Sequence, residues 1–426
     1  MWLIRSNTGV ELMVNLSFPF QALCVLLLVA CSSDDNGRSN GQSSGGATSP
    51  NQVQVGSRAF GGFPEPQFLP LDQGVWMAGD LHVHTNYSTD ASNRPMADVI
   101  ATAKNNGLDF LGVTDHDNHV DGDLAGNTWS DPAYKSDDEL VVLFGAEWTT
   151  SKGHANTFSA KPYNHQALYA VRDGLSTEVE QVVKSLGLHF SANHPASGDP
   201  WGYGYDVVRS IEVWQSSVWF LNTNAQTIWD DQIRTGRRMT GRGGSDSHHG
   251  YIKSFPTRID PNNFQPFVNA MGTPTTWVRA RSRDAESVID ALNAGRVSIS
   301  ATPQSPRLVL TAASESNGIF DLGMGDNLVL KEDRPVQLKI ELENTEVQTK
   351  FYRLEVIRDG SVLTTLNVFP GQTSVTFTDQ PGANTRTYYR VTMQGLSTPL
   401  VDSPGSFIPS LPMVAISNPF YINYQN

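Results

Sequence analysis

From about residue 75 to residue 300, short apolar runs alternate with stretches whose apolar positions recur at helical spacing. Val75–His82, Leu108–Thr114, Leu140–Ala146, His189–Asn193 and Ser210–Trp214 read as strands. Pro95–Asn106 carries Met96, Val99, Ile100 and Ala103 on one helical face and stops at Gly107. Thr177–Leu186 and Asn222–Arg234 are helical and stop at Gly187 and Gly236, and Ala285–Leu292 forms a last helix. Strands alternating with helices predict an α/β fold with a parallel sheet or barrel. After about residue 300 the pattern changes to short β-rich runs: Arg307–Ala312, Val336–Leu342, Tyr352–Arg358, Ser361–Val368, Ser374–Thr378 and Thr387–Met393. Turn signals such as Asp359-Gly360 and Pro370-Gly371 separate them, which predicts a small all-β sandwich over 301–426.

The first thirty residues do not read as part of this fold. Phe18–Ala30 is an apolar run too short to span a bilayer as a helix, and it ends in Leu28-Val29-Ala30-Cys31. A small residue before a cysteine resembles the bacterial lipobox, so 1–30 is expected to be a lipoprotein signal peptide and Cys31 the lipidated mature N-terminus. Ser32 to Gln54 is rich in Ser, Gly, Asn and Asp, and 31–74 is expected to be a flexible tether. The chain has two cysteines, Cys24 and Cys31, so the mature protein is expected to hold no disulfide. Ser32 after the cysteine leans the anchor toward the outer membrane, with the protein periplasmic or surface-facing.

The length of 426 residues fits two or three domains, and 39% hydrophobic and 17% charged residues fit a globular chain with a sizeable core. A net charge of −13 argues against a nucleic-acid partner, which needs a basic footprint.

All ten histidines lie between His82 and His249. Five motifs hold most of them, each at or just beyond the end of a predicted strand, where α/β folds place their active sites. They are Asp80-Leu81-His82-Val83-His84, followed by Asp90; Thr114-Asp115-His116; Glu147 followed by Gly153-His154; Asn193-His194-Pro195; and Gly244-Ser245-Asp246-Ser247-His248-His249. On a strand, residues two apart share a face, so His82 and His84 can reach one metal. Each motif alone is weak, since a histidine pair is often solvent-facing and a carboxylate ending a strand is often a helix cap. Together, imidazoles and carboxylates without thiolates suit hard or borderline divalent metals such as Mn, Zn or Fe.

This ordered set resembles the PHP (polymerase and histidinol phosphatase) superfamily. The lipoprotein-like start, the GSDSHH motif and the β tail make it similar to the CehA/McbA-type metallohydrolase branch, as do Gly295-Arg296, Met324-Gly325-Asp326 and Ala415-Ile416-Ser417-Asn418-Pro419. The resemblance implies a distorted (β/α)7 barrel over 75–300 with two or three divalent metal ions. One metal would be held by His82, His84, Glu147 and Asp246. A second would share Glu147 and add His154 and His194. A third would use Asp90, His116 and His248; some relatives carry a histidine where Asp90 stands. The implied activity is hydrolysis of a small phosphate mono- or diester by metal-activated hydroxide. A carboxyl or carbamate ester hydrolase on the same centre is the alternative, and a non-catalytic, surface-anchored binding protein is an alternative of another class.

His249 and His119 are candidate proton donors or phosphate contacts, and Asp115 is a candidate catalytic residue that orients a ligand histidine. Trp201, Tyr203 and Tyr205 line the pocket or cap the barrel rim, and Lys152 and Arg242 are candidate anion contacts. His165 and His189 match no ligand position and are expected to be structural.

Overall fold

β1 (Val75–Val83) is buried from Met77 onward and β2 (Phe110–Val113) along its whole length, as an apolar run covered on both faces requires. In the computed structural model, residues 59–91, 94–195, 201–216, 219–248, 270–344, 350–395 and 413–424 are described. The expected signal segment, Cys31 and the part of the expected tether up to residue 58 lie outside them, as does His249. β1, β2 and β3 (Val141–Thr150) pair in parallel. β4 (Gly153–Ser159) turns straight back from β3 and is antiparallel to both β3 and β5 (His189–Ala192). β5, β6 (Ser210–Gln215) and β7 (Thr240–Gly244) are parallel again. A parallel bridge between Val83 and Ser247 brings the chain after β7 back to β1, and the His84 N–H donates to the Ser247 carbonyl at 3.0 Å. The seven strands therefore run round to meet their own beginning.

Helices α1 (Met96–Asn105), α2 (His165–Tyr169), α3 (Ser176–Leu186) and α4 (Thr223–Arg234) fill three of the connections. Strict (β/α)7 alternation is not met, because β4 enters from β3 with no helix between them. β4 and β7 were also absent from the sequence-based pattern. The runs Gly-His-Ala-Asn-Thr-Phe-Ser and Thr-Gly-Arg-Gly-Gly lack the apolar residues that mark a strand.

β8 (Thr275–Ala280) pairs antiparallel with β1 on the side away from β2, and β9 (Val297–Ser300) pairs antiparallel with β8. α5 (Ala285–Ala294) joins them, capped by Asp284, whose carboxylate accepts from the Ser287 N–H at 2.8 Å.

The C-terminal strands are β10 (Arg307–Ala312), β11 (Leu322–Gly323), β12 (Asn327–Leu328), β13 (Val336–Glu343), β14 (Tyr352–Arg358), β15 (Ser361–Val368), β16 (Ser374–Asp379), β17 (Thr387–Gly395), β18 (Met413–Ser417) and β19 (Phe420–Ile422). β11, β10, β13 and β16 form one sheet. It packs Leu308, Leu310, Leu338 and Ile340 against Leu354, Val356, Val391 and Met393 of β14 and β17. β18 pairs with β9, so the sheet that carries β1–β7 continues without a break into this sandwich. The hydrogen-bonded ladder thus crosses the expected boundary at residue 300.

Three of the C-terminal motifs meet at this seam. Arg296 pairs with Asp326 at 2.8 Å and donates to the Met324 carbonyl at 2.5 Å. The Gly325 N–H donates to the Pro419 carbonyl at 2.7 Å. Asn418 exchanges two 2.8 Å hydrogen bonds with the backbone of Gly241 on β7. Gly325 has φ +85°, and a Cβ there would run into the carbonyl of Ala294. Across the same seam, Asp230 of α4 receives Arg390 at 2.6 Å and the Tyr388 hydroxyl at 2.7 Å.

Residues 59–74 are not the tether the composition predicts. They lie as a strap over the strand beginnings, with Ala59 and Phe63 buried. The backbone N–H of Arg238 donates to Ala59 O, and the side chains of Lys184, Arg209, Arg296 and Arg279 donate to the carbonyls of Gly61, Pro64, Leu69 and Gln73. Two phenylalanines lie under cations, Phe63 with Arg209 at 4.5 Å and Phe68 with Arg238 at 4.8 Å.

Gly325→Ala is expected to cost about 2–4 kcal/mol, because it combines a left-handed backbone with a backbone clash. Urea unfolding followed by far-UV circular dichroism measures it. A change below about 0.5 kcal/mol would show that the seam yields freely.

Candidate metal centre

The site lies at the carboxyl ends of the parallel strands. β1 delivers His82 and His84, the turn after β2 delivers Asp115 and His116, β3 carries Glu147, and the turns after β5 and β7 deliver His194, Asp246 and His248. His154 belongs to the beginning of β4, not to a strand end. It reaches the same rim because β4 runs backward. His194 and Asp246 hold positive φ values of 26° and 54°, a backbone conformation that costs energy for non-glycine residues and clusters at functional sites.

The nine expected ligands come together around Glu147. Its Oε2 lies 3.3 Å from His82 Nε2, 3.4 Å from His84 Nε2 and 3.1 Å from His116 Nδ1. Its Oε1 lies 3.2 Å from His154 Nδ1 and 3.2 Å from His194 Nε2. Asp246 Oδ1 is 3.3 Å from His82 Nε2 and 3.1 Å from His84 Nε2. Asp90 Oδ2, on the exposed side, is 3.4 Å from His116 Nε2 and 3.3 Å from His248 Nε2. Four triads, His82–His84–Glu147, His82–His194–Asp246, His116–Glu147–His154 and His84–His116–His248, each bring three donor atoms within 4.8 Å of one another.

The Nδ1 atoms of four histidines are tied down. His82 Nδ1 lies 3.0 Å from Glu212 Oε1, and His248 Nδ1 lies 2.9 Å from the Asp246 carbonyl; both acceptors lack a proton, so each Nδ1 carries one. His84 Nδ1 lies 3.2 Å from Ser88 Oγ, whose own proton goes to Asp115 at 3.0 Å. His116 Nδ1 lies 2.7 Å from Thr149 Oγ1, which donates to the Glu147 carbonyl at 3.1 Å. His82 and His84 thereby present Nε2 lone pairs toward Glu147 and Asp246, and His116 and His248 present theirs toward Asp90, as metal ligands must.

The electrostatics follow. Burial opposes ionisation of Glu147, but His116, His82 and His154 hold it well below the ordinary range; Asp246 is likewise held low by His82 and His248 against its burial. Burial, with His248 beside it, pushes His84 well down, so it is a neutral donor. His82 Nε2 and Glu147 Oε2 are both buried without a hydrogen-bond partner while facing each other. Two orphaned polar atoms inside a ring of imidazoles and carboxylates fit a divalent cation.

Several side chains matter that the sequence did not single out. Glu212, on β6, is fully buried against His82 and Arg242. Its signal was available: a carboxylate in mid-strand, in Ser-Ile-Glu-Val-Trp. Asp80 accepts from the N–H groups of His82, Ser245 and Gly272 at 3.1, 3.0 and 2.7 Å, clamping three segments together. Gln215 donates to Asp246 Oδ2 at 2.7 Å.

The other candidate side chains surround the cluster, and the expectation of an anion contact at Arg242 needs correction. The Asp115 carboxylate is buried and accepts from Thr85, Ser88 and Thr128, so it positions His84 through Ser88, and its carbonyl accepts the Glu147 N–H at 3.0 Å. Arg242 is buried, donating to Ser191, Glu212 and Asn193, and has no path to a substrate anion. Lys152 donates to the Gly174 carbonyl at 3.0 Å and lies over Tyr203. Trp201 and Tyr203 are buried around Trp148, with Tyr205 half-buried beside them, so they cap the core. His119 stands at the rim with its ring 4.9 Å from His116. Its Nδ1 accepts from the Thr89 N–H at 3.2 Å, which leaves its proton on Nε2. His165 pairs with buried Asp117 at 2.9 Å, and His189 lies between Asn293 and Ser210, both at 2.8 Å, each away from the cluster.

Residues 80–190 match the family model of the PHP domain, a span that includes His82, His84, Asp90, His116, Glu147 and His154. Among solved structures, a two-domain protein from Bacteroides vulgatus, described as containing a predicted PHP-like metal-dependent phosphoesterase, is similar at 16% identity. The likeness covers 84% of this chain and 98% of that one, with a TM-score of 0.40. An engineered protein is similar at 13% identity over 79% of this chain and 61% of its own, with a TM-score of 0.17. No curated protein matches.

Burial, with Arg209 and Arg242 adding to it, pushes the His189 imidazole down to about 3, so it is neutral at pH 7. An unfolded histidine takes up a proton near pH 6.5, so stability present above that pH is lost as pH falls toward about 3. His189→Gln is expected to shrink the stability difference between pH 7 and pH 5 by about 2 kcal/mol, read from urea midpoints. An unchanged difference would mean that His189 titrates normally.

Proposed function

We propose that this chain is a metal-dependent hydrolase that cleaves a small phosphate mono- or diester. The observation that carries the proposal is the position of Glu147, whose two oxygens face two separate groups of nitrogen donors. One group is His82 and His84 with Asp246, and His116 Nδ1 also approaches it, 3.1 Å from Glu147 Oε2; the other is His154 and His194. A third, of Asp90, His116 and His248, stands on the exposed side.

Divalent cations held there would supply Lewis acidity, lowering the pKa of water toward ~7 and offsetting charge that develops on the ester oxygens. The chain does the rest. Glu147, enclosed and ionised, holds the first two groups in register. Asp246 is aimed by Gln215, and Asp115 holds His84 through Ser88. His119 keeps a proton on Nε2 beside His116, where it serves a departing oxygen. Burial of His82, His84 and Glu147 keeps bulk water from the inner side of the site. The PHP domain match over 80–190 supports the same reading.

We further propose that the protein is lipid-anchored through Cys31 in a bacterial cell envelope, on the strength of Leu28-Val29-Ala30-Cys31 and the polar stretch after it.

The test uses residues 55–426. Two or three metal ions per chain, and turnover of an aryl phosphate or phosphodiester that a chelator abolishes and Mn or Zn restores, are expected. Turnover of an aryl carboxylester alone would replace the substrate class. Absence of bound metal and of activity after Mn or Zn would sink the enzyme reading. Asp246→Ala and His194→Ala are expected to lower turnover by more than about a hundredfold, beyond the loss of an outer partner, with far-UV circular dichroism unchanged. In the full chain, Cys31→Ser is expected to move the protein from the membrane fraction to the soluble fraction; an unchanged distribution would remove the anchor.

A further inference from the structure

Glu212 is a carboxylate with no access to solvent and every lone-pair direction in use. Oε1 receives His82 Nδ1 at 3.0 Å and Arg242 Nη1 at 2.8 Å. Oε2 receives the backbone N–H of His194 at 2.9 Å and lies 3.3 Å from His82 Nδ1. One carboxylate thus grips a histidine of each inner donor group: the ring of His82 and the strained backbone of His194. Arg242 carries the connection further. It also donates to Asn193 Oδ1 at 2.5 Å, and Asn193 Nδ2 donates to Glu147 Oε1 at 2.8 Å. The Glu212–His82 pair lies across Gly244 of β7, where a Cβ would stand 2.5 Å from His82 Cβ and closer still to Glu212 Oε1. The glycine-rich strand leaves the space that this pair occupies.

We propose that Glu212 is a positioning residue that couples the two inner metal sites: it fixes the Nδ1–H tautomer of His82 and the backbone of His194 at once. This rests on the metal-dependent reading of the centre. The chemistry demands both of its oxygens. A glutamine has one acceptor oxygen and one NH2 group. If its oxygen faces His82, its NH2 meets the His194 N–H, donor against donor. If it is flipped, its NH2 faces His82 Nδ1, which drives the proton to Nε2 and removes the lone pair offered to a metal.

The experiment compares wild type with Glu212→Gln, each as the full chain, by titration with Zn and with Co against a competing chelator. Wild-type binding tests the metal reading itself; the difference between the two proteins tests the role of Glu212. The expected result is about a tenfold to hundredfold weaker metal affinity, with loss from both inner sites together and a changed visible spectrum of the Co form. Unchanged affinity in a folded variant would overturn the proposal, as would loss confined to one site. Should the variant fail to fold, histidine 1H–15N spectra of the Zn-loaded wild type decide. A protonated Nδ1 on His82 supports the proposal, and a protonated Nε2 overturns it. Unfolding measured on the metal-free proteins separates a general loss of stability, which would leave the affinity ratio at one.

Discussion

The centre depends on a demand placed on each imidazole from two sides. A histidine offers one lone pair only if its other nitrogen holds the proton, and an exposed ring exchanges tautomers freely. Here Glu212, Ser88, Thr149 and the Asp246 carbonyl each face an Nδ1, so the Nε2 atoms of His82 and His84 are directed toward Glu147 and Asp246, and those of His116 and His248 toward Asp90. The acceptors come from β6, the turn after β1, β3 and the turn after β7. Convergence is therefore a property of the whole ring of strands and not of any one motif.

That ring is held at its closing point by polar contacts. Asp80 gathers the N–H groups of His82, Ser245 and Gly272, and the His84 N–H reaches the Ser247 carbonyl. Arg94, buried, donates to the carbonyl and hydroxyl of Ser247 at 2.7 and 2.9 Å. Buried carboxylates and guanidinium groups persist only where they are paired or hydrogen-bonded. Their concentration where β1 meets the turn after β7 explains how His82, His84, Asp246 and His248 keep their places although some 160 residues of chain separate the two pairs.

The C-terminal strands complete this scaffold instead of standing apart from it. β9 is paired on one edge by β8 and on the other by β18, and Asn418 holds β7 from outside. The strap over the strand beginnings closes the opposite end of the ring from the metal centre.

Read from the sequence, β1, β2, β3, β5, β6, four helices and six C-terminal strands were legible, because apolar periodicity and glycine stops are local signals. So were the nine clustered donors, since each stands in a short motif. β4 and β7 were not legible: Phe158 of β4 fills the space beside Gly112 of β2, and Trp229, His82 and Glu212 fill the space beside Gly241 and Gly244 of β7. The role of Arg242 was misread and that of Glu212 missed for the same reason. A lone charged residue on a strand looks alike whether it faces solvent or a buried partner 30 residues away. The sequence by itself determined which imidazoles and carboxylates stand in the clustered motifs and the order in which they occur. Tertiary structure alone decided which oxygen faces which nitrogen, which proton is held on the outside, and that the chain after β7 returns to β1. Those outcomes depend on burial and on hydrogen bonds between segments far apart in the chain, which no local pattern encodes.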